Sequence, residues 1–130
     1  MLYGVNPPAT IVLVEDDEDI GRLIGLHLKK AGFATRWFRT ATGVIADAET
    51  EPPALFLLDV MLPGIDGFHL CRSIRKHDLL RTLPIIVLTA RAGQSDRKLA
   101  FESGADDYVT KPFRPADLIE RVRALCERRS

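Results

Sequence analysis

Ala54-Leu55-Phe56-Leu57-Leu58-Asp59 runs five apolar residues straight into a carboxylate. An unbroken apolar run of that length predicts a strand buried on both faces, as in a parallel sheet covered by helices. Asp59 then sits at the strand's carboxyl end, the edge where open α/β sheets place their ligands. The flanks agree, with Glu51-Pro52-Pro53 punctuating before the run and Pro63-Gly64 turning the chain after it.

On the amino-terminal side, Thr10-Ile11-Val12-Leu13-Val14 reads as a second buried strand, followed at once by Glu15-Asp16-Asp17-Glu18-Asp19. Ile20, Leu23, Ile24, Leu26, Leu28 and Ala31 give a helical stripe that Gly32 closes. Residues 33–38 predict a short strand with a polar break at Thr35-Arg36. Thr40 is suited to cap a helix through about Thr50 that turns Val44, Ile45 and Ala48 inward.

On the carboxyl side, Asp66 is suited to cap a helix using Phe68, Leu70, Cys71, Ile74 and Leu79. Pro84-Ile85-Ile86-Val87-Leu88 is the fourth strand and ends in Thr89-Ala90. Ser95 is placed to cap a helix through Ser103, stopped by Gly104. Residues 105–110 form a weaker fifth strand, then Lys111-Pro112-Phe113 leads to a helix over 115–128. These alternations of strand and helix predict βαβ units and a five-stranded parallel sheet, buried on both sides by right-handed crossovers.

The bulk numbers set bounds. A chain of 130 residues is one domain by length, read here as a tail over 1–9 and a folded unit over 10–130. The 18 basic and 18 acidic side chains balance, so nothing global points to nucleic acid or an anionic membrane. Cys71 and Cys126 lack metal or redox spacing and read as reduced thiols of a cytoplasmic protein. No apolar stretch approaches membrane-spanning length and no signal peptide precedes the first strand.

Each buried strand hands over a polar residue as it ends: Glu15 and Asp16, then Asp59, Thr89 and Lys111. In one parallel sheet these meet along one edge. Three carboxylates in one pocket repel, and a shared proton or a cation must relieve them. An all-oxygen donor set selects a hard ion, with Mg2+ the default. Asp59 is a carboxylate nucleophile of the aspartyl-phosphate type, while Lys111, Thr89 and the ion supply positioning and charge neutralisation. Singly, each has a plainer account: a strand-end Asp is commonly a cap, and Asp17, Glu18 and Asp19 suit a helix start. The joint arrangement favours chemistry. His27, His69 and His77 lack metal spacing and read as surface or packing residues.

The chain resembles the receiver domain of two-component response regulators over nearly its full length. The matching stretches are residues 11–17 (Ile11 to Asp17), 58–67 (Leu58 to Gly67), Leu88-Thr89-Ala90 and 108–113 (Tyr108 to Phe113). The resemblance implies a flavodoxin-like (βα)5 doubly wound three-layer sandwich. It implies that Asp59 accepts a phosphoryl group from a sensor histidine kinase. It also implies that Asp16 binds Mg2+ directly, Glu15 binds it through water and the Met61 backbone carbonyl completes the shell, with Mn2+ or Ca2+ able to substitute. Thr89 and Tyr108 become a switch pair, Lys111 contacts the phosphate, the Lys111-Pro112 bond is cis and small Ala90 keeps the approach open. On this reading the protein phosphorylates and dephosphorylates itself and turns over no separate metabolic substrate.

The last third resembles the OmpR/PhoB-type transcription regulators, through Ala90-Arg91, residues 104–108 and the charges Arg97, Asp107, Asp117, Arg121 and Arg128. This implies a phosphorylation-dependent homodimer through the fourth helix, fifth strand and fifth helix. That subclass continues into a linker and a winged-helix DNA-binding domain. The ending at Ser130 therefore reads as an excised receiver or a stand-alone one acting as adaptor or phosphorelay intermediate. Arg128-Arg129 is too little to bind DNA. A haloacid-dehalogenase-type phosphatase needs an acid/base Asp where Met61 stands. A flavin module needs a phosphate cradle where Glu15-Asp16-Asp17-Glu18 would repel it. A degenerate adaptor would not keep the full acidic and basic set.

Overall fold

The computed structural model describes residues 8–90 and 93–128. Ten elements alternate strictly: β1 (Thr10–Val14), α1 (Glu18–Lys30), β2 (Ala34–Phe38), α2 (Val44–Thr50), β3 (Leu55–Asp59), α3 (Gly67–Arg75), β4 (Ile85–Thr89), α4 (Gln94–Glu102), β5 (Asp107–Thr110) and α5 (Pro115–Glu127). All strand pairs are parallel and the sheet runs β2-β1-β3-β4-β5. The expected flavodoxin-like, doubly wound three-layer sandwich is the observed fold. Of the anticipated tail over 1–9, only Pro8 and Ala9 are among the described residues.

The opening apolar run is explained by the pleat. Leu55 and Leu57 join the core beneath α1 and α5, with Ile24, Leu28, Leu118 and Val122. Phe56 and Leu58 face the opposite way, into the core that includes Val44, Phe68, Cys71 and Ile74. Successive side chains of a strand point to opposite faces, so a central strand with two covered faces is apolar throughout. Every residue of β3 and β4 is buried. At the sheet edge, β2 is only half-buried along its length, which accommodates the polar Thr35-Arg36. Arg36 reaches outward to Asp47 of α2 at 2.8 Å.

Several local expectations need correcting. In α1 the buried residues are Gly21, Ile24 and Leu28, whereas Leu23 and Leu26 are exposed. The inward stripe follows the 3–4 spacing, which those two leucines break. Thr40 does not cap α2. Its hydroxyl accepts from the Thr42 N–H in a local turn, and the helix starts after Gly43, whose φ is +81°. Ser95 lies inside α4, behind an N-cap at Gly93 that makes no side-chain capping bond.

Leu79 is exposed because α3 stops at Arg75, and Leu80 is buried in its place. The Arg75 guanidinium gathers the carbonyls of Arg81 (2.9 Å), Leu83 (2.6 Å) and Gly104 (2.8 Å) and the Asp106 carboxylate (2.8 Å). That network turns the chain back toward β4. The fifth strand begins at Asp107 rather than at 105, although the Asp106 N–H already bonds to the Ile85 carbonyl at 2.8 Å.

Candidate functional site

β1, β3, β4 and β5 lie side by side, so the groups that follow them converge at the carboxyl edge. Asp59 closes β3, opposite Leu88, and Thr89 closes β4, opposite Thr110. Glu15 and Thr89 are 0% exposed and Asp59 is 2% exposed. These are therefore desolvated polar groups that must be paired.

Lys111 supplies the pairing. Its Nζ lies 2.8 Å from Glu15 Oε1 and 3.2 Å from Asp59 Oδ2. Its backbone N–H donates to the Thr89 carbonyl at 2.7 Å, which ties the ends of β4 and β5 together. The Met61 N–H donates to Asp59 Oδ1 at 3.1 Å. The Lys111–Pro112 peptide is cis, as the resemblance implies.

One ammonium does not balance this much acid. Glu15, Asp16 and Asp59 each bring a carboxylate oxygen within 4.8 Å of the others. Burial first, and then the shared hydrogen bond with Asp59, push the Glu15 carboxyl up to about 7, against the opposing pull of Lys111. Burial works against the Lys111 charge, but the bonds to Glu15 and Asp59 prevail and raise its pKa. Asp16 is exposed at the mouth and Glu15 is enclosed. The cluster has the chemistry of a hard-cation site: oxygen donors only, an excess of negative charge and one open side.

The acidic neighbours divide as the sequence suggests. The Asp17 side chain caps α1 by accepting from the Ile20 N–H at 2.9 Å, and Glu18 and Asp19 occupy the first turn. Tyr108 is half-buried and packs against the core that contains Val87 and Ala100. Arg121 binds Asp107 through both carboxylate oxygens at 2.9 Å and reaches Asp117 at 3.2 Å. Arg97 lines the same groove of about 450 Å³ as Tyr108, Asp117 and Arg121. Arg128 stands apart, about 16 Å beyond Asp117 along the rise of α5, and lines a separate hollow with Thr82 and Asp106. Arg91 lies outside the described residues.

The profile of the response regulator receiver domain matches residues 11–123. The chain is a response regulator receiver domain. Its curated relatives are OmpR/PhoB-type regulators. It is 44% identical over 119 residues to the transcriptional regulatory protein GltR of Pseudomonas aeruginosa, covering 92% of this chain and 49% of that protein. The receiver thus spans about half the length of the curated relatives it matches.

Among solved structures it resembles the BeF3-activated N-terminal receiver domain of Klebsiella pneumoniae RstA. That match has a TM-score of 0.83 and 37% identity, covering 90% of this chain and 97% of the other. It also resembles the receiver domain of the sensor histidine kinase PA1611 from Pseudomonas aeruginosa, whose structure has a magnesium ion coordinated in the active site cleft. There the TM-score is 0.85 with 32% identity, covering 92% of this receiver and 98% of that one.

Sequence reasoning missed three sets of contacts. Trp37 of β2 and Arg39 just after it hold the carbonyls of Glu15 and Asp16. Arg75 bridges α3 to the segment before β5. Gly67 lies directly against the backbone of Asp59. The single tryptophan in a strand otherwise marked by polar residues was the one visible signal.

Proposed function

We propose that Asp59 is the phosphoacceptor of this receiver, charged by a phosphohistidine on a sensor histidine kinase in an Mg2+-dependent reaction. The observation that carries this reading is the buried Asp59 held between Lys111 and the acid pair. An Asp59 carboxylate oxygen attacks phosphorus in line, the bond from phosphorus to the donor imidazole breaks, and the electron pair leaves with that nitrogen. Lys111 balances charge on the phosphoryl oxygens, and the Thr89 hydroxyl at the end of β4 donates to one of them. Asp16, Asp59 and the Met61 carbonyl would hold Mg2+, with Glu15 acting through water. An Mg2+ held there would supply positive charge against the carboxylates and the phosphoryl oxygens.

The structure of the PA1611 receiver, with magnesium in its cleft, supports this choice of ion. Residues 10–130 form the acting unit, a self-phosphorylating and self-dephosphorylating switch in the cytoplasm with no separate metabolic substrate. Thr89 and Tyr108 transmit the change to α4, β5 and α5. There Arg97, Asp107, Asp117 and Arg121, with Arg128 at the far end of α5, serve a phosphorylation-dependent homodimer. The output is transcription, as the names of the curated relatives suggest.

The decisive experiment is intact mass after incubation with acetyl phosphate, with and without Mg2+, followed by peptide mapping. One Mg2+-dependent phosphoryl adduct on Asp59 is expected. An adduct that ignores Mg2+, or that maps to another carboxylate, would overturn the assignment.

A second expectation concerns stability. An ion that binds only the folded state stabilises it by about 2.7 kcal/mol at one hundred times its dissociation constant. Mg2+ should therefore raise the melting temperature of the wild type. Asp16→Ala should lose that gain and, with one charge fewer in the cluster, melt higher than the wild type without metal. Equal Mg2+ gains in both proteins would place the ion elsewhere.

A further inference from the structure

The turn that carries Glu15 and Asp16 is fastened from β2, a strand that contributes no side chain to the acceptor site. The Glu15 N–H donates to the Phe38 carbonyl at 3.0 Å, and the Trp37 indole N–H donates to the Glu15 carbonyl at 2.9 Å. The Arg39 guanidinium donates to the Asp16 carbonyl at 2.7 Å, and its carbon lies 5.8 Å from the centre of the Trp37 ring. The indole is itself wedged in place. A Cβ built on Gly21 of α1 would fall 2.0 Å from the ring, so only glycine leaves room for it there.

The physical consequence concerns where the carboxylates stand before a cation arrives. Adjacent acids facing a third acid repel, and an unfastened turn relaxes outward. A cation binding such a turn must first gather its ligands, and the cost appears as weaker affinity. Hydrogen bonds to both carbonyls hold the turn in its gathered form. They also make no claim on the carboxylate oxygens; those of Glu15 meet Lys111, the Asp17 N–H and Asp59.

We propose that Trp37 and Arg39 are positioning residues that set the affinity of the acid turn for a divalent cation. The inference rests on the metal reading given above. Neither residue touches the cation or the phosphoryl group in this scheme, and both act through the backbone of Glu15 and Asp16.

The test is an Mg2+ titration of the whole chain, read by melting temperature. Indole emission provides a second reading for the wild type and the Arg39 variants, since Trp37 is the one tryptophan in the sequence. Trp37→Phe keeps a ring beside Gly21 but has no N–H. Arg39→Gln removes the positive charge and, two bonds shorter, draws its N–H donors back from the Asp16 carbonyl, and Arg39→Lys restores a long charged donor. Trp37→Phe and Arg39→Gln should each raise the half-saturating Mg2+ concentration about tenfold, the usual scale for groups that orient metal ligands. Arg39→Lys should recover most of that loss.

Midpoints within about twofold of wild type, well short of that scale, would overturn the proposal whatever happens to the metal-free melting temperature. Should Trp37→Phe fold poorly, the Arg39 pair decides alone, because that side chain is exposed. A wild type whose melting temperature and emission ignore Mg2+ would overturn the metal reading itself and this inference with it.

Discussion

Asp59→Asn is expected to take up no phosphoryl group from acetyl phosphate at any Mg2+ concentration, a loss of at least about a thousandfold in rate, as when a nucleophile is deleted. The substitution is close to isosteric, and the carboxamide oxygen still accepts the Met61 N–H that Asp59 Oδ1 now receives at 3.1 Å. What disappears is the nucleophilic lone pair and one buried negative charge. The same variant should melt higher than wild type without metal, because Glu15 no longer faces a second carboxylate over Lys111. Intact mass and a thermal melt check both halves. An adduct of wild-type yield on Asp59→Asn would assign the chemistry to another acid, and Asp16 would be the first to examine.

Gly67→Ala carries the other large effect, and here the cause is steric. A Cβ at residue 67 would stand 2.2 Å from the Asp59 carbonyl oxygen, 2.8 Å from its carbon and 2.9 Å from Val60 Cα. All three atoms are backbone, so no flexible side-chain end can swing aside. The Gly67 N–H also bonds to the Val60 carbonyl at 3.1 Å, which fixes the start of α3 on the end of β3. Overpacking at such a place costs about 3 kcal/mol, and the displaced strand end carries the acceptor carboxylate with it. A melting temperature lower by about 10 °C, together with slow phosphoryl uptake, is the expected result. Gly25→Ala is the control. Nothing lies within 4 Å of its added carbon and the site is inside α1, so it should be neutral or stabilising by up to about 1 kcal/mol. Equal melting temperatures for Gly67→Ala and wild type would show that the loop yields more than its contacts suggest.

The contrast between these two glycines marks what the sequence could tell. Both are glycines in or near a helix, and only the distance to Asp59 separates them. The alternation of strands and helices was legible because buried parallel strands are apolar on both faces, as Leu55 to Leu58 illustrate. The convergence of Glu15, Asp16, Asp59, Thr89 and Lys111 followed from strand direction alone, since every strand end lies on one edge. Helix starts were less legible. Thr40 and Ser95 had capping side chains in plausible places, yet Gly43 and Gly93 took the cap positions. Leu79 and Leu80 could not be told apart by pattern, because Arg75 ends the helix through partners up to thirty-one residues away. Trp37 and Arg39 act through main-chain carbonyls, which have no signature in the sequence beyond the presence of a lone tryptophan.

The Lys111–Glu15 contact joins groups ninety-six residues apart. Loop-closure entropy makes so distant a contact unfavourable until intervening structure has formed. Every neighbouring pair in this parallel sheet is likewise joined by a crossover, so its strand pairing is non-local throughout. The acceptor pocket therefore requires the first and last strands both to be docked on the central pair. No fragment ending before Lys111 contains it, and a chain that loses only its final strand loses the pocket in the same event. Phosphoryl capacity in this receiver is a property of the completed fold and reports on its integrity from end to end.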